Sequence, residues 1–179
     1  TVDYVSVGKL RTEGYLKALK SNDIKVNENL ISTKLAVFWN NHYQLPTKGS
    51  VAPIVHKFIE PGFEQADNII IVKSVMSGSC VVRTNLIAML NQIKNAKQIF
   101  IVAPVVHKNS EASLIKEFPH DISSKFNFVY FAKDAQKDSY SGEVIPGIGG
   151  QVYELLGLVK QPALTNYMPK VVEKLAFNL

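Results

Sequence analysis

The residues best suited to chemistry are Ser77-Gly78-Ser79-Cys80, which follow the apolar run 68–72 (Asn-Ile-Ile-Ile-Val) and precede a helical stretch. Val82, Leu86, Leu90 and Ile93 fall on one face of a helix predicted over 81–94. Backbone N–H groups at a helix start have no partner within the helix and carry partial positive charge. Gly78 admits a phosphate close to the backbone, and Ser77 and Ser79 add hydroxyl donors, so the segment suits an anion. The same residues also suit a plain turn in which Ser77 or Ser79 caps the helix. The segment is not a Walker loop, because G-x-x-x-x-G-K-[ST] is missing, and no G-x-G-x-x-G follows a strand.

Two further segments place bare backbone or a cation at strand ends. In Val144-Ile145-Pro146-Gly147-Ile148-Gly149-Gly150, three glycines occupy four positions after a proline. Such a loop either reads a flat ligand through its own N–H and C=O groups or is simply a tight connection. Near the start, residues 5–14 bring Arg11 to the junction of a strand and a helix. Arginine suits bidentate contact with phosphate, although a surface Arg near a turn fits the same pattern. His42, His56, His107 and His120 show no metal-ligand spacing with Cys80, which reads as a small buried residue. Trp39, Phe126, Phe128 and Phe131 read as core rather than as a base-stacking platform. Residues 134–138 fit either a cleft wall or a solvated loop.

These segments need elements to position them. Strands are expected at 4–7, 34–39, 55–59, 68–72, 99–106 and 126–132. Helices are expected at 12–21, 81–94, 152–158 and 168–177, with loops at 42–50 and 142–150. This alternation reads as an α/β fold, a mostly parallel sheet with helices on both faces, Rossmann-like, in a single domain over 1–179. In such sheets ligands sit at the carboxyl ends of the strands, where both small-residue loops would fall.

Composition narrows the partners. Net charge is +5, from 20 Lys and Arg against 15 Asp and Glu, and the basic residues form no run of five. That distribution points away from a nucleic-acid site and leaves room for anionic small ligands. No stretch reaches the roughly 18–20 apolar residues a bilayer span needs, so no membrane partner is expected. No signal-peptide pattern opens the chain, and the lone Cys80 has no internal disulfide partner, so a cytoplasmic setting is expected.

Taken together, the segments resemble a type I phosphoribosyltransferase, most closely the uracil phosphoribosyltransferase branch. Leu10-Arg11-Thr12-Glu13-Gly14 is similar to that branch's pyrophosphate-binding Leu-Arg-Ala-Gly segment. Residues 70–80 resemble the phosphoribosyl-pyrophosphate (PRPP) motif, and Ile145-Pro146-Gly147-Ile148-Gly149 resembles the Val-Pro-Gly-Leu-Gly of the uracil-binding hood. The resemblance implies that Lys73, Ser77, Gly78, Ser79 and Cys80 hold the phosphate of PRPP. It further implies that Arg11 acts in catalysis on the pyrophosphate and that Ile145, Gly147, Gly149 and Gly150 hold a base. It also admits Mg²⁺ as a cofactor and a homodimer supported by the apolar 98–106 strand. The acidic part of the PRPP motif is degenerate: Val72-Lys73-Ser74 stands in its place, and no carboxylate occurs between Asp67 and Glu111. The hood's Asp-Ala-Gly-Asp is replaced by Gly150-Gln151-Val152-Tyr153. The expectation is a divergent domain that binds PRPP or a nucleoside monophosphate without standard transfer. The alternatives are an active nucleobase transferase and a non-catalytic interaction module.

Overall fold

The computed structural model describes residues 2–5, 33–45, 49–139, 141–158 and 161–177. The expected helix at 12–21 and the Arg11 segment lie outside the described residues. The best-read part of the chain is the unit that surrounds the phosphate-loop candidate. Strand β6 (Asn68–Val72) leads through a short turn into helix α1 (Cys80–Leu90), and the chain returns as β8 (Gln98–Val102). β-Branched Ile and Val favour a pleated, buried surface. Ile69 pairs in parallel register with Ile99, and Ile71 with Ile101, all buried. Val82, Leu86 and Met89 of α1 join them in the main core cluster, as does Ile93 just beyond the helix.

The wider sheet departs from the expected fold. Its six strands run in the order β10 (Phe126–Val129), β8, β6, β1 (Val2–Val5), β2 (Ala36–Asn40), β5 (Ile54–Ile59). Only β10–β8 and β8–β6 pair in parallel; β6–β1, β1–β2 and β2–β5 are antiparallel. The mostly parallel, Rossmann-like, phosphoribosyltransferase-like sheet is therefore not what the chain forms. One reason lies between β2 and β5. That connection is spent on a small hairpin of β3 (Tyr43–Gln44) and β4 (Ser50–Val51), not on the helical crossover that parallel pairing requires. The expected dimer support at 98–106 also changes, since β8 is paired on both sides and offers no free edge.

The three parallel strands break in step. β6, β8 and β10 each stop for two residues and resume as β7 (Val75–Met76), β9 (Val105–His107) and β11 (Ala132–Asp134), a second parallel sheet. The expected strand 99–106 thus splits at Ala103-Pro104, where proline has no N–H to donate. The Pro104 carbonyl instead accepts from both Phe131 and Ala132 N–H groups, at 3.0 and 3.1 Å. Phe131 sits at this break on the edge of the sheet and is 96% exposed, contrary to its reading as core.

Strand β2 is buried throughout. Ala36 and Phe38 face the main cluster. Val37 and Trp39 face a second one with Val171 and Val172 of the C-terminal helix α5 (Lys170–Phe177; α2 is Ser110–Lys116, α3 His120–Ser123, α4 Val152–Leu155). Trp39 Nε1 donates to the Tyr167 carbonyl at 2.9 Å. At the end of β2 the register shifts between Trp39 and Asn40, and the Asn40 side chain turns inward, fully buried. Its amide exchanges two hydrogen bonds with Asn85 of α1, at 2.8 and 3.0 Å, and donates to the Ala52 carbonyl at 3.1 Å. No helix among the described residues is long and apolar enough to cross a membrane.

Removing one member of a buried amide pair leaves the other unsatisfied and opens a small void. Asn85→Ala is expected to lower stability by about 2–4 kcal/mol. The measurement is the urea unfolding midpoint, with the slope unchanged.

Candidate functional site

A cavity of about 830 Å³ opens at the carboxyl ends of the parallel strands. Its size is within the range of small-molecule sites, roughly 300–1,000 Å³. Its walls come from the turn between β6 and α1, the turn after β9, the β3–β4 hairpin and the 136–151 segment. Lys73, Ser77, Gly78, Ser79 and Cys80 all line it, and so do Ile148 and Gly150 from the glycine-rich loop. The tertiary structure therefore brings two of the three candidate segments, about 70 residues apart in sequence, to one cavity.

The in-step break has a direct consequence here. Lys73 and Ser74 occupy the gap between β6 and β7 and stand in the cavity wall. Lys73 is 8% exposed, and its backbone N–H still donates to the Val102 carbonyl at 2.8 Å. Ser79 precedes α1 with helical dihedrals (φ −96°, ψ −25°), and its side chain makes no capping bond. The capped-turn reading of Ser79 is thus not the one the chain adopts. The first-turn N–H groups are left to the helix dipole and to whatever occupies the cavity. Cys80 is buried, and its thiol donates to the Ser50 carbonyl at 3.2 Å. Its side chain ties α1 to β4 rather than meeting a ligand.

The other candidates are distributed differently. Ile145 does not line this cavity but an adjoining depression of about 460 Å³, which shares Ser141, Glu143, Val144 and Gly150 with it. Gly147 and Gly149 line neither space. Gly147 has φ +58°, and a side chain there would collide with the Val144 carbonyl oxygen, so the turn demands glycine. Its N–H donates to Asp134 Oδ2 at 2.9 Å, which fastens the loop to the end of β11.

Two further residues carry electrostatics here: Lys137, from the 134–138 segment read from sequence as either cleft wall or solvated loop, and His107, weighed from sequence only as a metal ligand. Lys137, in β12 (Gln136–Lys137), lines the cavity from a hairpin with β13 (Val144–Ile145). His107 is buried at the end of β9. Its Nδ1 accepts from Asn109 N–H at 3.3 Å, while its own carbonyl accepts from Ser110 Oγ at 2.7 Å. The only sequence signal for either residue was its position just after a strand. Burial pushes the His107 pKa below the usual 6.5, and the charge of Lys137 adds to this. A hydrogen bond to the Ala135 backbone opposes them, and Lys108 lowers the pKa a little further. Of the charged residues lining the cavity, Arg83 and Glu117 neutralise each other across 3.3 Å. Lys73, Lys137 and Glu143 line the cavity as well. No group of three or more His, Cys, Asp or Glu among the described residues could hold a metal ion.

No protein-family model and no curated protein matches the chain. Among solved structures, the AQ2163 protein from Aquifex aeolicus aligns over 68% of this chain at 14% identity, with a TM-score of 0.48. That alignment spans about half, 52%, of the Aquifex protein. A DUF1893 family protein from Thermotoga maritima aligns over 97% of this chain and 93% of its own, at 15% identity and a TM-score of 0.24. Likenesses at these scores carry no functional argument.

The His107 shift has a testable sign. Its folded pKa lies below 6.5, so its contribution to stability is fully present above about pH 6.5. The contribution is lost as pH falls through the lower folded value. Urea unfolding at a series of pH values is expected to show stability falling as pH drops below 6.5, and His107→Gln is expected to flatten that slope.

Proposed function

We propose that the protein binds a phosphorylated small molecule in this cavity, with the phosphate seated on the backbone of Ser77–Cys80. The observation that carries the reading is the uncapped start of α1 opening into a cavity wall that also holds Lys73. Backbone N–H groups aimed at a ligand, a helix dipole and a nearby ammonium all favour a dianion. The resemblance of three segments to a type I phosphoribosyltransferase narrows the ligand to a 5′-phosphoribosyl compound, PRPP or a nucleoside monophosphate. A cavity of about 830 Å³ has room for either.

The reading is of binding without standard transfer. The transferases this chain resembles hold the ribose hydroxyls with carboxylates at the end of the strand before the loop. Here Lys73 fills that position, buried in the cavity wall. A cation donates where the ribose hydroxyls need an acceptor, so the sugar loses its anchor while the phosphate keeps one.

Thermal shift with PRPP, UMP, ribose 5-phosphate and inorganic phosphate, with and without Mg²⁺, tests the reading. PRPP and UMP at a hundred times their Kd are expected to stabilise by about 2.7 kcal/mol. No pyrophosphate release is expected on a panel of nucleobases. Gly78 has open space around it, with Lys137 Nζ 4.0 Å from where a Cβ would sit, so Gly78→Asp is expected to fold normally. Its carboxylate would occupy the phosphate position and abolish the shift. A shift that survives in Gly78→Asp places the phosphate elsewhere.

A further inference from the structure

We propose that Lys137 is the second arm of the anion site, closing over the Gly78 backbone from the opposite wall, and that the Asp134–Gly147 hydrogen bond positions it. This rests on the phosphate site proposed above and names a residue and an anchor that the motifs did not contain.

The first observation is a juxtaposition. Lys137 Nζ lies 4.0 Å from the point a Gly78 Cβ would occupy, over bare backbone. The residue as a whole is exposed, yet its ammonium end stands in the cavity wall, where burial lowers its pKa from the ordinary 10.5. No carboxylate of the described residues lies within ion-pair distance of it, and Glu143 on the same wall makes no such pair. A partly desolvated ammonium without a counter-charge is unfavourable, and an anion on the Gly78 backbone would relieve it.

The second observation concerns what holds this lysine in place. Lys137 pairs with Val144 and Gln136 with Ile145 in a hairpin that joins no other strand among the described residues. Two residues per strand make a hairpin that is marginal by itself. Inside it, the Asp138 N–H donates to the Glu143 carbonyl at 2.8 Å, and the Ser141 N–H donates to Asp138 Oδ1. Outside it, one side-chain link to the parallel strands is Asp134 Oδ2 accepting from Gly147 N–H at 2.9 Å. Asp134 ends β11, which is paired in register with β9. The bond therefore transmits the position of the sheet to the hairpin, and through it to Lys137.

Calorimetric titration with inorganic phosphate and ribose 5-phosphate separates the possibilities. The wild type is expected to bind both. Lys137→Met and Lys137→Gln are expected to weaken binding about tenfold or more, and Lys137→Arg to retain most of it. Asp134→Asn keeps an acceptor for Gly147 N–H but loses the charge that strengthens that bond, and by electrostatics alone the lost negative charge predicts tighter binding. Positioning predicts weaker binding, with little further loss when Asp134→Asn is added to Lys137→Met. As a readout without mutation, phosphate is expected to protect Lys137 from amine acetylation, read by mass spectrometry, while the exposed Lys97 stays reactive. Wild-type affinity in Lys137→Met and Lys137→Gln overturns the role of the lysine. Tighter binding in Asp134→Asn overturns the anchor. No phosphate binding by the wild type overturns the underlying site and this proposal with it, a result distinct from either.

Discussion

The placement of the site depends on one buried contact, the amide pair between Asn40 and Asn85. Each side chain is fully buried, and each satisfies the other with two hydrogen bonds of about 3 Å. Two primary amides in an apolar interior are unfavourable unless they meet face to face, so only one sliding position of α1 along β2 is acceptable. Apolar packing by Val82, Leu86 and Met89 would tolerate small shifts of the helix, whereas the amide pair does not. Because the start of α1 is also the rim of the cavity, the register set at Asn85 decides where Ser79 and Cys80 stand. The Cys80 thiol bond to Ser50 and the Asn40 bond to Ala52 attach the β3–β4 hairpin to the same junction.

The cavity itself follows from the interrupted parallel strands. An unbroken ladder from 68 to 76 would pair Lys73 and Ser74 within a sheet. The break lets the backbone leave the ladder at the point where the sheet ends, which is where parallel strands present their carboxyl ends. Pro104 contributes by lacking a donor and by offering its carbonyl to two N–H groups of the neighbouring strand. Lys73 thereby stands in the cavity wall, and nearby Arg83 is paired with Glu117.

The opposite wall is assembled from weaker parts. The β12–β13 hairpin is short, and its placement relies on single contacts: Asp134 to the Gly147 backbone, and His107 to the Ala135 backbone. His107 stands between the turn after β9 and the start of this wall, where burial and the nearby Lys137 disfavour its charged form. One wall of the site is thus part of the main core, and the other is hung from it by polar bonds. Such walls lie at the low-stability end of a fold and move more easily than the core.

Local reading of the chain recovered β6, the turn at 77–80, α1 and β8, because hydrophobic periodicity and β-branched runs are short-range signals. It also found Lys73 and the absence of carboxylates around it, since both are matters of residue identity alone. It did not recover the direction of β1, β2 and β5, which is a choice of partner between segments far apart in the chain. Nor did it separate Gly150 and Ile148, which reach the cavity, from Ile145, which does not, since that depends on a hairpin register. The 134–138 segment reads as either cleft wall or solvated loop, and nothing in the sequence chooses between them or sets Lys137 and His107 apart; they acquire meaning only because two strand ends and a hairpin meet near Gly78. The sequence by itself determined that a turn of small residues leads from a buried strand into a helix here. Only the tertiary structure decided what faces that turn, because cavities are made by non-local pairing and by the burial of polar groups that must find partners.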